Sequence, residues 1–296
     1  MNRIVMRKEY EEETAAPGSL RIGVCGLSRG AGATFISEAL AYAFALEKRK
    51  RVTFLDCAGY LMKSGVWPAS SGFVYDSLGM EKRFAIRGFK DVFEMLEQGK
   101  SIRKIQNIDE KINWLLPIPG AGCGSGMKAA GSAGYERCEK AVSRIRKAYQ
   151  NCPGEIIICD FGSFFGNAFA ACAGCAAPDL SGRALAEDDM LRDMDIVVAV
   201  IDPLPSALLQ GERQLEYLKA LKKDGFQVEF VLNKVNAGVG LHEVKSFLKL
   251  EQAGIIRAAA ISEIYAAEFS CCLPVEFKSI RDDILQDIRG IARKIT

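Results

Sequence analysis

The sequence has almost no net charge and no long hydrophobic run, and each absence excludes a class of protein. Its 39 lysine and arginine residues nearly balance 37 aspartate and glutamate residues, so the formal net charge is +2. Such a chain has no overall field that attracts a polyanion, and nucleic-acid binding would need a local basic patch. No apolar run approaches the roughly 18 residues of a spanning helix. The N-terminal residues lack a secretory apolar core, so we expect a cytoplasmic protein.

Histidine is nearly absent as well, since His242 is the only one. No serine elbow or catalytic-cysteine signature lies near it, so we expect a surface or helix-capping role and no triad chemistry. The ten cysteines are expected to be reduced thiols that serve mainly as small apolar residues.

The composition is otherwise that of an ordinary packed protein. Hydrophobic residues make up 49% and charged residues 26% of the 296 positions, which is unlike a disordered chain or a disulfide-rich mini-protein. Residues 1–19 are polar and acidic, so we predict a flexible N-terminal arm. We predict a single domain over residues 20–296, with loop insertions near 120–134 and 162–182, where glycine and alanine are concentrated.

Short aliphatic runs alternate with segments of helical periodicity along this domain. The runs are continuous, as in strands that helices cover on both faces. Strand, helix and strand in that order form βαβ units with parallel strands. We therefore predict a doubly wound α/β fold, with a mostly parallel sheet between two layers of helices. The predicted strands are 20–26, 51–56, 114–118, 155–160, 196–201 and 228–233, and the predicted helices are 34–48, 89–98, 135–150, 207–223, 242–250 and 278–295.

A glycine-rich loop, Gly26-Leu-Ser-Arg-Gly-Ala-Gly-Ala-Thr34, follows the first predicted strand and precedes the first predicted helix. Glycines in this place let successive backbone N–H groups curl around an anion, and the helix N-terminus adds partial positive charge. A Walker loop would end in Gly-Lys-Thr, whereas Ala33 occupies the lysine position here. The alternative is a turn whose glycines serve only the close packing of helix and strand.

The loop and the elements after it resemble the MinD/ParA group of deviant-Walker P-loop ATPases over about residues 20–295. The loop aligns with that family's Lys-Gly-Gly-x-Gly-Lys-Thr. The strands that end at Asp56 and Asp160, and the strand that runs into Asn233, follow in the family's order. The resemblance implies a three-layer P-loop NTPase fold that binds ATP or ADP with Mg²⁺.

The departures from that family lie at its charged positions. Ser28 and Ala33 stand where the family has two lysines, and Ala58 stands where the family has an aspartate that orients the attacking water. Losing such groups typically costs several kcal/mol of transition-state stabilisation. We therefore expect a nucleotide-binding module that is a pseudo-ATPase with little or no hydrolysis.

The resemblance implies that the binding side of the site is retained. Thr34 would ligate Mg²⁺, Asp160 would hold a metal-bound water and Asn233 would pair with adenine. Asp56 would contact metal-bound water or cap a turn. The alternatives to these roles are that Asp160 only caps a helix or loop and that Asn233 only forms a turn. The implied nucleotide-binding residues are Ser28, Arg29, Gly30, Ala31, Gly32, Ala33, Thr34, Phe35, Asn233 and Lys234, and the implied metal-binding residues are Thr34, Asp56 and Asp160.

Two other functions stay open at this point. In a slow but active ATPase, Arg29 would supply the missing charge, although its planar fork is not equivalent to a lysine. In a dimer-bridged electron-transfer protein, Cys172 and Cys175 of each subunit would hold an iron-sulfur cluster, as cysteines do in some members of the wider superfamily. The resemblance also implies docking on a protein partner and homodimer formation. We do not expect nucleic acid or a membrane surface as the main partner.

Overall fold

Parallel strands form one sheet at the centre of the protein. The computed structural model describes residues 18–46, 50–58, 112–115, 132–152, 154–163, 190–236, 238–269 and 274–296. The strands in these ranges are β1 (Leu20–Gly26), β2 (Val52–Asp56), β3 (Ile112–Leu115), β4 (Ile156–Asp160), β5 (Ile196–Ile201), β6 (Val228–Val235) and β7 (Gly254–Arg257). They form a 7-stranded sheet in the order β3-β2-β4-β1-β5-β6-β7. Every strand pair is parallel.

Helices cover both faces of this sheet. They are α1 (Ala33–Leu46), α2 (Ser132–Asn151), α3 (Pro205–Lys223), α4 (Leu241–Leu248), α5 (Ile261–Phe269) and α6 (Lys278–Ile295), with a 3₁₀ turn at Pro274–Glu276. α1 and α6 belong to one apolar cluster, which includes Phe44 and Ile284. α2 and α3 belong to a second cluster, which includes Ile145 and Leu215.

Successive residues of the buried strands face these two clusters in turn. On β4, Ile158 belongs to the cluster of α1 and α6, whereas Ile157 belongs to the cluster of α2 and α3. Side chains of a strand alternate between the faces of the sheet, so both faces of β4 are apolar and covered. The predicted three-layer α/β architecture, with a parallel sheet between two layers of helices, is therefore confirmed.

β1 marks the point at which the chain changes direction across the sheet. The strands β2, β3 and β4 lie on one side of it, and β5, β6 and β7 lie on the other. Ligands of open α/β sheets bind outside the carboxyl ends of the strands at such a point. β1 ends at Gly26, so the glycine-rich loop begins at the position where this fold favours a ligand.

Most predicted elements are present with small shifts at their ends. β3 begins two residues before the predicted strand, and α2 begins at Ser132, so residues 132–134 of the predicted 120–134 loop are helical. α4 ends at Leu248 because Lys249 adopts the left-handed conformation, with φ +50°. β7 and α5 were not predicted.

Several predictions lie outside the described residues. These are the N-terminal arm through residue 17, the helix at 89–98, the loop from 120 to 131, and residues 164–182 of the second loop, which include Cys172 and Cys175. Among the described helices, none has the length and hydropathy that crossing a membrane requires.

Candidate functional site

The glycine-rich loop forms a backbone turn between β1 and the start of α1. Gly30 has a φ of +76° and Gly32 a φ of +90°, which residues with a side chain rarely adopt. The Gly32 carbonyl accepts the N–H of Ile36 at 3.0 Å, which begins the hydrogen bonding of α1. The loop therefore ends at a helix N-terminus, where unpaired N–H groups and the helix dipole favour an anion.

The base of the loop is anchored to the strands on both sides of β1. Leu27 N–H donates to the Val200 carbonyl on β5 at 2.9 Å, and Gly26 N–H donates to the Gly162 carbonyl after β4 at 2.7 Å. These bonds fix both edges of the loop relative to the sheet, so its path is determined by tertiary structure as well as by its glycines.

The side chains of the loop carry little charge. Ser28, Ala31 and Ala33 are buried, and the loop's cation, Arg29, is exposed. Ser28 and Ala33, which the sequence resemblance aligns with two lysines, are thus small, neutral and buried. Phe35 is half-buried and packs against the apolar cluster of α1 and α6, so its ring contributes to the core.

Two buried carboxyl groups lie beside the loop at the ends of adjacent strands. Asp56 and Asp160 are the last residues of β2 and β4, and they are paired in the register of those strands. Their exposed fractions are 1% and 0%. A buried carboxyl group is costly to ionise unless it is hydrogen-bonded or paired with a cation, so this pair is a candidate cation-binding feature.

Asp160 combines a capping bond with a spare oxygen. Its Oδ1 accepts the N–H of Gly162 at 2.9 Å, so one oxygen caps the loop after β4, whereas Oδ2 has no hydrogen-bond partner among the described residues. Burial raises the pKa of Asp160 to about 6, and the hydroxyls of Thr34 and Ser37 together with Gly162 N–H act in the opposite direction. The carboxyl group therefore faces the Thr34 and Ser37 hydroxyls of the first turn of α1.

The end of β6 contacts the loop directly. Asn233 Nδ2 donates to the Ala31 carbonyl at 2.8 Å, and Lys234 Nζ donates to the Gly30 carbonyl. Lys234 has a φ of +58°, and its Nζ lies 2.9 Å from Asp202 Oδ2. The structure thus brings together two regions that lie about 200 residues apart in the sequence.

Two residues beside the loop were missed by the sequence analysis. Asp202 pairs with Lys234, and its Oδ1 accepts the Leu204 N–H at 3.1 Å, one residue before α3. Gly211 of α3 lies against Leu27, because a Cβ on Gly211 would stand 2.9 Å from the Leu27 Cβ. Asp202 directly follows a predicted strand, and this position could have indicated a residue of the site. An isolated glycine in a helix, such as Gly211, gives no comparable indication.

The remaining candidates show no catalytic arrangement in the described ranges. Ala58 is buried and lies close to Gly162, since a Cβ placed on Gly162 would stand 3.0 Å from the Ala58 Cβ. His242 is exposed at the start of α4. No cluster of three or more His, Cys, Asp or Glu residues suited to a metal ion occurs in the described part of the chain.

Solved structures show the same fold. One similar chain is a ParA family ATPase from Chlorobium tepidum TLS, with 14% sequence identity, coverage of 93% of this chain and 99% of that chain, and a TM-score of 0.54. A chain of the MinC:MinD cell division protein complex of Aquifex aeolicus has 15% identity, coverage of 92% and 95%, and a TM-score of 0.54. A putative plasmid partition protein from Borrelia burgdorferi B31 bound to AMPPNP has 12% identity, coverage of 94% and 100%, and a TM-score of 0.53. No family profile and no curated protein sequence matches the chain. The protein has the three-layer α/β P-loop fold of ParA and MinD ATPases.

Proposed function

We propose that this protein is a nucleotide-binding module that holds ATP or ADP with Mg²⁺ in its glycine-rich loop and hydrolyses little or none of it. One observation carries the proposal: a loop with two left-handed glycines ends at a helix N-terminus, beside a buried carboxylate that has an oxygen to spare. This arrangement supplies donors for phosphate oxygens and an acceptor for a hydrated cation at neighbouring points.

The phosphates would bind to the backbone of the loop. Gly30 and Gly32 give the loop a left-handed path, and successive N–H groups in such a path form an anion-binding concavity. The open N-terminus of α1 adds favourable partial charge. The structure of the Borrelia protein bound to AMPPNP, which shares this fold, supports the choice of an adenine nucleotide.

The residues present fit Mg²⁺. The cation prefers oxygen ligands and keeps several of its waters, and the spare Asp160 Oδ2 is suited to accept from such a water. Thr34 would supply a hydroxyl from the first turn of α1, and Asp56 a second carboxylate. When bound, Mg²⁺ would offset the charge of the phosphates and of the buried carboxylates.

Weak hydrolysis follows from the groups that the site lacks. Ala33 and Ser28 supply no charge at the loop, and Ala58 supplies no carboxylate to orient water. Phosphoryl transfer depends on such charge stabilisation and positioning. Arg29 is exposed and would have to turn towards the phosphates for the alternative of a slow ATPase.

A role through protein partners is supported by the surface next to the site. Leu204 and Leu209, at the start of α3, are 58% and 68% exposed. Asp202 connects this segment to Lys234 and the loop. The fold is shared with MinD, which was solved in a complex with MinC. Docking and homodimer formation at this segment are parts of the same proposal.

Calorimetry and a phosphate-release assay test the proposal together. We expect Mg-ADP and Mg-ATP to bind, with turnover well below the order of 1 s⁻¹ typical of enzymes. Thr34→Ala should weaken binding, whereas Thr296→Ala at the far end of α6 is the matched control and should not. Absence of nucleotide binding would refute the module, and turnover near 1 s⁻¹ that Arg29→Ala abolishes would favour the active ATPase.

Light scattering with and without Mg-ATP tests the docking part. We expect the mass to rise towards that of a dimer when nucleotide is present, and Leu209→Glu to prevent the rise. A monomer under both conditions would exclude homodimer formation, and the proposed partner would then have to be a different protein.

A further inference from the structure

The second half of α2 carries only positive charge. Residues 140–151 contain Lys140, Arg144, Arg146 and Lys147 and no aspartate or glutamate. Lys140, Arg144 and Lys147 follow one another at spacings of four and three residues, so they lie on one face of the helix. The two lysines are exposed, and Arg144 is partly exposed. These three residues form a basic stripe on the surface of α2.

Two acidic side chains near this half of α2 pair with cations outside the basic stripe. Asp193, which lies just before β5, accepts hydrogen bonds from Arg146 Nε at 2.7 Å and from the Tyr149 hydroxyl. Glu155, which directly precedes β4, pairs with Lys50 Nζ at 2.7 Å. The two bonds to Asp193 fix the rotation of α2 about its axis. The stripe is therefore a positively charged surface of defined orientation, and it suits an acidic partner.

The chain enters β1 beside the end of α2. The helix ends at Asn151, and the carbonyl of Gly154, a short way along the chain, accepts a hydrogen bond from the Ser19 hydroxyl at 2.7 Å. Gly18, the first described residue, is exposed. The residues that precede Gly18 are therefore attached to the domain next to the C-terminal end of α2, at the amino ends of the strands.

The residues attached there include an acidic segment. Residues 9–13 read Glu-Tyr-Glu-Glu-Glu and carry four carboxylates. The glutamate nearest to Gly18 lies five positions before it and can reach about 17 Å from it, and the farthest lies nine positions before it and can reach about 31 Å. The basic stripe begins four residues from the end of α2 and extends over about 11 Å of the helix. The acidic segment is therefore long enough to lie along the stripe.

We infer that the basic stripe is the docking surface of the acidic segment of the same chain. Opposite charge selects this partner. The short tether gives the segment a high effective concentration, so exposed ion pairs that are individually weak act together. Docking neutralises the stripe and thereby keeps other polyanions from it. Because the segment is attached at the amino end of β1 and the glycine-rich loop follows the carboxyl end, the inference does not depend on the proposed nucleotide site.

A zero-length carbodiimide crosslinker tests the contact, because it joins a carboxylate to an amine only where the two touch. In the nucleotide-free protein, mass spectrometry should find glutamates of residues 9–13 joined to Lys140 and Lys147. Raising the NaCl concentration from about 0.05 M to about 1 M shortens the screening length to about 3 Å. The yield of these crosslinks should then fall by about fivefold or more, because weakly held exposed ion pairs are screened by salt.

Arg144→Glu tests the electrostatic origin of the contact, since it reverses the central charge of the stripe and keeps both reactive lysines. We expect it to lower the crosslink yield at Lys140 and Lys147 by about fivefold, a factor that the loss of one exposed ion pair can produce. Arg144→Lys should keep the yield. Arg293→Glu, at an exposed position of α6, makes the same change of charge elsewhere and should also keep it.

Three outcomes would overturn the inference. A yield that neither salt nor Arg144→Glu changes would mean that the tether alone brings the groups together. In a mixture of isotope-labelled and unlabelled protein, crosslinks that join labelled to unlabelled chains would assign the stripe to the acidic segment of a second copy. Absence of the crosslinks would refute the docking, and a DNA duplex that bound the parent protein but not Arg144→Glu would then identify nucleic acid as the occupant.

Discussion

Asp56 and Asp160 are register partners at the last residues of β2 and β4, and both carboxyl groups are buried. Burial raises the pKa of Asp160 to about 6 from an ordinary value of 3.8. In the folded protein this group therefore keeps its proton to higher pH than in the unfolded chain. Its contribution to stability is fully present below about pH 4 and is lost as the pH rises through about 6.

The first prediction is that Asp160→Asn stabilises the protein near neutral pH. The amide keeps an oxygen for the Gly162 N–H but has no charge to desolvate, so the free energy of unfolding at about pH 7.5 should rise by up to about 3 kcal/mol. The measurement is denaturant unfolding between about pH 4 and 7.5. The variant should lose the decline in stability over this interval that the parent protein shows.

Glu251→Gln is the control for this experiment, because Glu251 is exposed and the change also removes one negative charge. It should follow the parent protein at every pH. A variant Asp160→Asn that is less stable than the parent near neutral pH would show that the carboxylate makes a favourable interaction that the described contacts do not provide.

The second prediction concerns the contact of α3 with the loop. Glycine to alanine in a helix normally stabilises by about 1 kcal/mol, but a Cβ on Gly211 would stand 2.9 Å from the Leu27 Cβ. Overpacking of this kind typically costs about 1–3 kcal/mol, so Gly211→Ala should lower the free energy of unfolding. It should also weaken nucleotide binding by displacing Leu27.

Gly290 of α6 supplies the matched control, because a Cβ there would meet no atom within 4 Å. Gly290→Ala should raise the thermal midpoint and leave nucleotide affinity unchanged. Equal stabilisation by both substitutions would mean that α3 shifts freely relative to the loop, and the rigid contact would be refuted.

The central sheet could be predicted from the sequence because its strands are local signals. Continuous aliphatic runs such as Ile196–Ile201 indicate strands that are covered on both faces, and the carboxylates of Asp56 and Asp160 stand visibly at the ends of such runs. β7 was missed because Gly254–Arg257 has only four residues. Its Arg257 is held by Asp283 and Asp287 of α6, which is a tertiary contact that no local pattern shows.

The loop itself was predictable, whereas the contacts that shape it were not. The glycine spacing before a helical segment indicated an anion site. The bonds from Asn233 and Lys234 to the loop join residues 202 and 204 positions apart in the sequence, and only the folded sheet brings them together. The sequence resemblance named Asn233 as a nucleotide-binding residue, whereas its hydrogen bond to the loop is known only from the structure.

The third prediction is a gain of affinity. Ala33 is the first residue of α1 and is 5% exposed, so a lysine there would have to extend towards the loop. A charge-assisted hydrogen bond to phosphate contributes about 1.5–3 kcal/mol. Ala33→Lys should therefore tighten Mg-ATP binding by roughly tenfold to a hundredfold, as measured by calorimetry.

Ala33→Met separates the charge from the bulk of the new side chain. It has similar length and no charge, so it should leave binding unchanged or weaker. If Ala33→Lys were also without effect, the loop would not be shaped for phosphate, and close packing of helix and strand would be its whole purpose.

The last prediction is that Cys172 and Cys175 hold no metal and are dispensable for folding. Four cysteines whose side chains the structure describes behave as core residues, since Cys25, Cys57, Cys152 and Cys159 are free and buried, and burial raises the pKa of the Cys25 thiol to about 12. The aliphatic strands already provide a core without cross-links, and loop substitutions usually change stability by less than about 0.5 kcal/mol. The double variant Cys172→Ser, Cys175→Ser should thus keep the thermal midpoint within a few degrees of the parent. Elemental analysis of anaerobically purified parent protein should find no stoichiometric iron or zinc. Iron that is present in the parent and absent from the double variant, with a simultaneous loss of dimers, would instead establish the cluster-bridged alternative.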